Sequence, residues 1–149
     1  MTRLLYSAAF AAVAVMAAAP TASAQASWPI IYRSKDVSVA LDTAGAERNT
    51  DGSYVSRTRW DYAEAHKLES KRPYTQMTEV ALLRCTPVRI KRLTESFYAE
   101  GGAAVREGPM PSPGEVQYMT WDRLPVRSEG SKVFSNVCAA MTKKFRGKR

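Results

Sequence analysis

Residues 80–92 read VALLRCTPVRIKR: an apolar run closing on Cys85, a Thr-Pro pair, then apolar and basic residues in alternation. This order predicts a strand, a turn and a second strand, because side chains along a strand point to alternate faces and the period-2 pattern resumes at Val88. Upstream, YTQMTEVALLRC (74–85) extends the first strand. Its parity groups Met77, Ala81, Leu83 and Cys85, with Glu79 as an acidic misfit on the same side. The run VALL blurs the alternation and marks a place for a bulge or for burial on both faces. Downstream, Val88, Ile90 and Tyr98 oppose Arg89, Lys91 and Phe97, and Pro87 suits a strand edge better than its middle.

The fold then depends on what Cys85 does. The chain has 2 cysteines, and the other, Cys138, lies in SKVFSNVCAAMTKKF (131–145). Apolar residues at 133, 134, 137, 138, 141 and 145 make one face of a helix. Ser131 is the expected N-cap, and Lys143, Lys144 and Arg146 fall where positive charge complements the helix dipole.

The compartment is read from MTRLLYSAAFAAVAVMAAAPTASAQA at the start of the chain. Arg3, an apolar stretch from Leu4 to Ala19, Pro20 and a small-residue ASA ending at Ala24 make a secretory signal peptide over 1–24. A transmembrane anchor is the competing reading, but the apolar run falls short of the roughly 20 residues a span needs and lacks a basic stop-transfer flank. Two cysteines in an exported chain, without CxxC or CxxCH, read as one disulfide, Cys85 to Cys138. On this reading the bridge pins the terminal helix onto the sheet. Residues 25–149 are then a single domain with a basic C-terminal tail.

The remaining segments fit the same plan. WPIIYR (28–33) and VSVAL (37–41) read as strands, followed by turn residues in DTAGAERNTDGS (42–53). In YVSRTRWDY (54–62), Tyr54, Thr58, Trp60 and Tyr62 share one side, and Val55, Arg57, Arg59 and Asp61 the other. AEAHKLESKRP (63–73) reads as an exposed loop ending at Pro73. GGAAVREGPMPSPG (101–114) reads as an irregular connector or binding loop, and EVQYMTW (115–121) as a short strand. The fold class is α+β: an antiparallel β-sheet with a C-terminal helix packed on it and one disulfide.

The order of these motifs resembles the surface-adhesin protein E-like domains of Gram-negative bacteria, over nearly the whole mature chain. The resemblance rests on Asp42 before the first hairpin, a strand closing on Asp61 and Tyr62, the strand cysteine Cys85, the segment from Trp121 to Ser131, and the helical Cys138. Arg84 stands where those domains often carry an acidic residue, and Glu129 where they have the proline of a PGS turn. The resemblance implies an antiparallel sheet with a packed helix and a disulfide. It also implies, for some members, binding of host matrix or serum proteins.

Composition narrows the function. The formal net charge is +8, and removing Arg3 leaves +7, which suits anionic partners such as lipid A phosphates, acidic polysaccharide or sulfated glycans. No nucleic-acid recognition motif accompanies the charge. His66 is the only histidine, so neither metal nor other cofactor is expected. It sits beside Glu64 and Lys67, with no G-x-S-x-G in the chain, and Asp42 and Asp61 read as turn-forming hydrogen bonders rather than an acid–base pair.

The expectation is therefore an exported, non-enzymatic binding or interaction module. The candidate surface is Arg57, Arg59, Arg89, Lys91, Lys143, Lys144 and Arg146. Two alternatives stand beside it: a periplasmic accessory protein holding anionic envelope polymer, and a regulator of an envelope hydrolase that inserts EGPMPSPGE (107–115). No transmembrane anchor is expected in the mature chain, and an exposed sheet edge allows a homodimer.

Overall fold

The computed structural model describes residues 28–69 and 72–146; the segment 1–24, read above as a signal peptide, and the end of the basic tail, 147–149, lie outside them. The strands are β1 (Ile30–Arg33), β2 (Val37–Leu41), β3 (Glu47–Arg48), β4 (Tyr54–Lys67), β5 (Pro73–Cys85), β6 (Val88–Tyr98) and β7 (Ala104–Arg106). The helices are α1 (Pro113–Tyr118) and α2 (Glu129–Phe145). The strands form one antiparallel sheet in the order β1-β2-β4-β5-β6-β7, with β3 pairing β4.

Alternation in β4 and β5 decides the two faces. Tyr54, Ser56, Thr58 and Trp60 are buried, as are Met77, Glu79, Ala81 and Leu83, while Arg57 and Arg84 are exposed. α2 lies on the buried face and contributes Val133, Phe134, Val137, Cys138 and Met141. Each such side chain, fully buried, stabilises by roughly 1.5–3 kcal/mol, so this stripe accounts for the helix being docked. Phe134 packs against Trp60 with ring centroids 6.3 Å apart. The other face of the sheet is open at its centre.

The disulfide holds where it is expected. Cys85 and Cys138 are bonded with Cα atoms 5.5 Å apart, tying the end of β5 to the third turn of α2. Further anchors hold the helix ends: Tyr32 and Ser34 donate to Glu129 Oε1 at 3.4 and 3.0 Å. At the far end Lys144 donates to the carbonyls of Thr43 and Ala46. The turn it reaches is built by Asp42, whose carboxylate accepts from the amides of Ala44 and Gly45 at 3.0 and 2.9 Å. A Cβ on Gly45 would lie 2.5 Å from that carboxylate, so the turn needs glycine there.

The structure corrects several local readings. β4 runs on through Ala63–Lys67 rather than ending in a loop, and Pro73 starts β5 rather than closing a connector. Pairing jumps from Asp61↔Gln76 to His66↔Tyr74, so β4 bulges there. The stretch lacks an apolar face because this end of the hairpin is exposed. In β6, Val80 pairs Thr94 but Ala81 pairs Arg92, leaving Leu93 as the extra residue of a bulge. The bulge resets the parity, so Phe97 joins Ile90 on the buried face instead of opposing it.

The glycine- and proline-rich 101–114 segment contains β7, which pairs Phe97 and Tyr98 of β6. The expected strand at 115–121 is instead α1. Its capping box explains this: Ser112 accepts from the Glu115 amide while Glu115 Oε2 accepts from the Ser112 amide, with Pro113 at the first position. α2 starts at Glu129 with Ser128, not Ser131, as its N-cap.

Candidate functional site

Two places on the fold collect chemistry. The first is the end of the sheet that carries the disulfide. Arg84 and Arg89 are direct partners across the β5–β6 ladder on the open face. Arg84 meets Asp51 at 3.5 Å and lies over the Trp121 ring at 4.4 Å. Arg89 has no carboxylate partner among the described residues, and its buried Nε has no hydrogen-bond acceptor. The disulfide draws a second pair of cations to this end: Lys143 and Arg146 line a cleft of about 480 Å³ with Cys85, Thr86, Cys138, Ala139 and Thr142.

The other residues expected in the binding surface are placed differently. Lys91 is only 7 % exposed; its ammonium donates to the Val116 carbonyl at 3.0 Å and faces Trp121. It fastens α1 and Trp121 over the end of the sheet. Lys144 is engaged with the Asp42 turn. Arg59 Nε donates to Asp61 Oδ2 at 3.0 Å, and Gln76 donates to the other oxygen of Asp61 at 2.7 Å. Arg57 is exposed in the middle of the open face. The structure thus brings Arg89, Lys143 and Arg146 to one end, with Arg57 and Arg59 farther along β4. Asp42 and Asp61 do not form a pair: one shapes a turn and the other is held by Arg59 and Gln76.

The second place was not in the candidate set. On the buried face, beyond the start of α2, a cavity of about 390 Å³ is lined by Trp60, Tyr62, Tyr74, Met77, Phe97 and Phe134, with Glu79 among them. Leu68 and Gly130 also line it, and Arg92, Glu95 and Arg106 complete the lining. These three also line an adjoining cleft of about 450 Å³ toward Gly108 and Pro109. The aromatic rings contact one another: Tyr62–Tyr74 centroids lie 5.8 Å apart and Tyr74–Phe97 4.8 Å apart, both edge to face. His66, exposed on the β4 extension, lies tilted beside Tyr62 with ring centroids 4.5 Å apart.

Glu79 is 2 % exposed. Arg92 Nε lies 3.0 Å from its Oε1 and 3.8 Å from Oε1 of Glu95, its partner across the ladder. The ion pair lacks hydrogen-bond alignment, so that buried oxygen accepts no hydrogen bond. Burial pushes the carboxyl up to about 7; Arg92 pulls against the shift and Glu95 adds to it. The parity of β5 already marked Glu79 as misplaced in an apolar row. Arg92 keeps the parity of Ile90 and pairs Ala81, diagonal to Glu79, whereas the Leu93 bulge is what sets Glu95 directly across from Glu79.

Among the described residues, no helix is long and apolar enough to cross a membrane. Nor does any group of three or more His, Cys, Asp and Glu side chains there have an arrangement that could hold a metal ion. Compared with family models, curated proteins and solved structures, the chain matches none.

Proposed function

We propose that the chain is an exported, non-enzymatic binding module that engages anionic macromolecules through the basic, disulfide-bearing end of its sheet. The observation that carries this reading is the Arg84–Arg89 pair. Like charges directly opposite on a ladder destabilise it, and Asp51 offsets one of the two. A phosphate or sulfate laid against Arg84 and Arg89 relieves the repulsion. Lys143 and Arg146, fixed at the same end by the bridge, extend the positive field around the hairpin tip.

An internal disulfide is in keeping with an oxidising compartment outside the cytosol. There, phosphate- or sulfate-bearing envelope and surface polymers are the anions at hand. The resemblance to surface-adhesin protein E-like domains supports a surface role, with host matrix or serum proteins as the alternative partner.

Heparin serves as a sulfated probe. Affinity falls steeply with added salt, because exposed charges are screened within about 8–10 Å at physiological ionic strength. The Arg84→Ala/Arg89→Ala chain binds more weakly and with a shallower salt dependence. Salt-insensitive binding, or binding unchanged in that chain, rejects the reading. Protease shaving of intact cells against osmotic-shock extracts then distinguishes a surface partner from a periplasmic one.

A further inference from the structure

The Glu79 cavity calls for its own account, because an apolar residue there would pack as its neighbours Met77, Ala81 and Leu83 do. A buried ion pair contributes little net stability against a well-packed apolar side chain, so the fold gains little by keeping a carboxylate in this row. The cavity, of about 390 Å³, is large enough for one small ligand and has the usual make-up of a ligand site, mostly aromatic with a few polar groups.

Its polar groups are of both signs, and each sign has unfilled capacity. On the floor, Glu79 Oε1 accepts no hydrogen bond, and the single guanidinium of Arg92 is shared between Glu79 and Glu95. At the rim, Arg106 has no carboxylate partner among the described residues and lies over the Phe97 ring at 4.7 Å. Between floor and rim stand ring faces and edges, which take an apolar body and also attract a cation. A purely anionic ligand would meet Glu79 and Glu95, and a purely cationic one would meet Arg92 and Arg106. A ligand carrying both charges has each one matched.

We infer that this cavity binds a small zwitterion with an apolar body, the chemistry of an α-amino acid with an aromatic or aliphatic side chain. Its ammonium group is received by Glu79 and Glu95, its carboxylate by Arg106, and its side chain by Tyr62, Tyr74 and Phe97. The site is on the opposite face of the sheet from Arg89, and the inference does not rest on the anionic-polymer reading.

Three probes of similar size separate the charges: L-phenylalanine, phenethylamine, which lacks the carboxylate, and 3-phenylpropionate, which lacks the ammonium. Titrated into the intact mature chain and followed by amide NMR, L-phenylalanine gives saturable shifts around residues 62, 74, 79, 97 and 106. It binds at least about tenfold more tightly than either singly charged probe, the discrimination expected when a buried polar partner is left unmatched. Arg106→Gln, a change at an exposed side chain that leaves the core intact, lowers L-phenylalanine affinity toward that of phenethylamine. Glu79→Gln lowers it toward that of 3-phenylpropionate. Equal or tighter binding of either singly charged probe by the unaltered chain overturns the inference, as does the absence of saturable shifts in this cavity with L-phenylalanine.

Discussion

Opening the Cys85–Cys138 bridge removes a constraint whose size follows from its place in the chain. The cysteines are separated by 53 residues. In the chain-entropy treatment, a loop of that length restricts the unfolded state by about 14 cal/mol/K, or about 4 kcal/mol at 25 °C. The folded state changes less. α2 remains attached through Val133, Phe134, Val137 and Met141, through Glu129 to Tyr32 and Ser34, and through Lys144 to the Asp42 turn. The expected loss therefore stays near the entropic figure. Against a total of ~5–15 kcal/mol for an ordinary domain it is a large fraction. The melting temperature falls by about 10–20 °C in calorimetry, read for the oxidised chain, the reduced chain and Cys85→Ser/Cys138→Ser. Alkylation and mass spectrometry of the isolated protein find no free thiol before reduction. A drop of only a few degrees, within about 1 kcal/mol, would refute the claim that the bridge is a main fastening of the fold.

Three other expectations follow from single contacts. Glu79 has its carboxyl raised to about 7 in the folded chain, so the native state holds a proton that the unfolded state releases, and stability attributable to Glu79 declines as pH rises from about 4.5 to 7. The decline is at most about 3 kcal/mol, and the stability difference between the unaltered chain and Glu79→Gln, measured by urea unfolding across that range, shows it; a flat difference contradicts the burial argument. Phe134→Ala empties the contact with Trp60 at the centre of the helix–sheet interface and costs about 3–5 kcal/mol by the same method. Lys144→Met keeps the aliphatic stem but removes the ammonium that donates to the Thr43 and Ala46 carbonyls, lowering stability by about 1–3 kcal/mol; an unchanged midpoint means those bonds contribute nothing.

How legible the chain is depends on whether a residue's partners are local or distant. The strand–turn–strand at 80–92 and the apolar stripe of α2 are periodic patterns, and the disulfide needed only two cysteines in a chain read as exported. The inward side of β4 came out for the same reason. Bulges are different: Leu93 is an ordinary residue in sequence, yet as the extra one in β6 it moves Phe97 to the buried face and sets Glu95 opposite Glu79. The capping box at Ser112 and Glu115 was present to be read, but the glycines and prolines before it drew the reading toward a loop. Charge was the least legible property. Arg89, Lys91 and Lys144 look alike in sequence, whereas one lacks an acceptor for its buried Nε and the other two are fastened to backbone carbonyls.

That difference among the cations makes the most direct test of anion recognition at the disulfide end. Amide and side-chain NMR of a chain spanning residues 25–149 is followed while heparin is added at low salt. Shifts that saturate at Arg84, Arg89, Lys143 and Arg146, with the Lys91 and Lys144 ammonium groups unmoved, are the predicted result. Shifts spread evenly over all the basic residues, or none at the disulfide end, would contradict it.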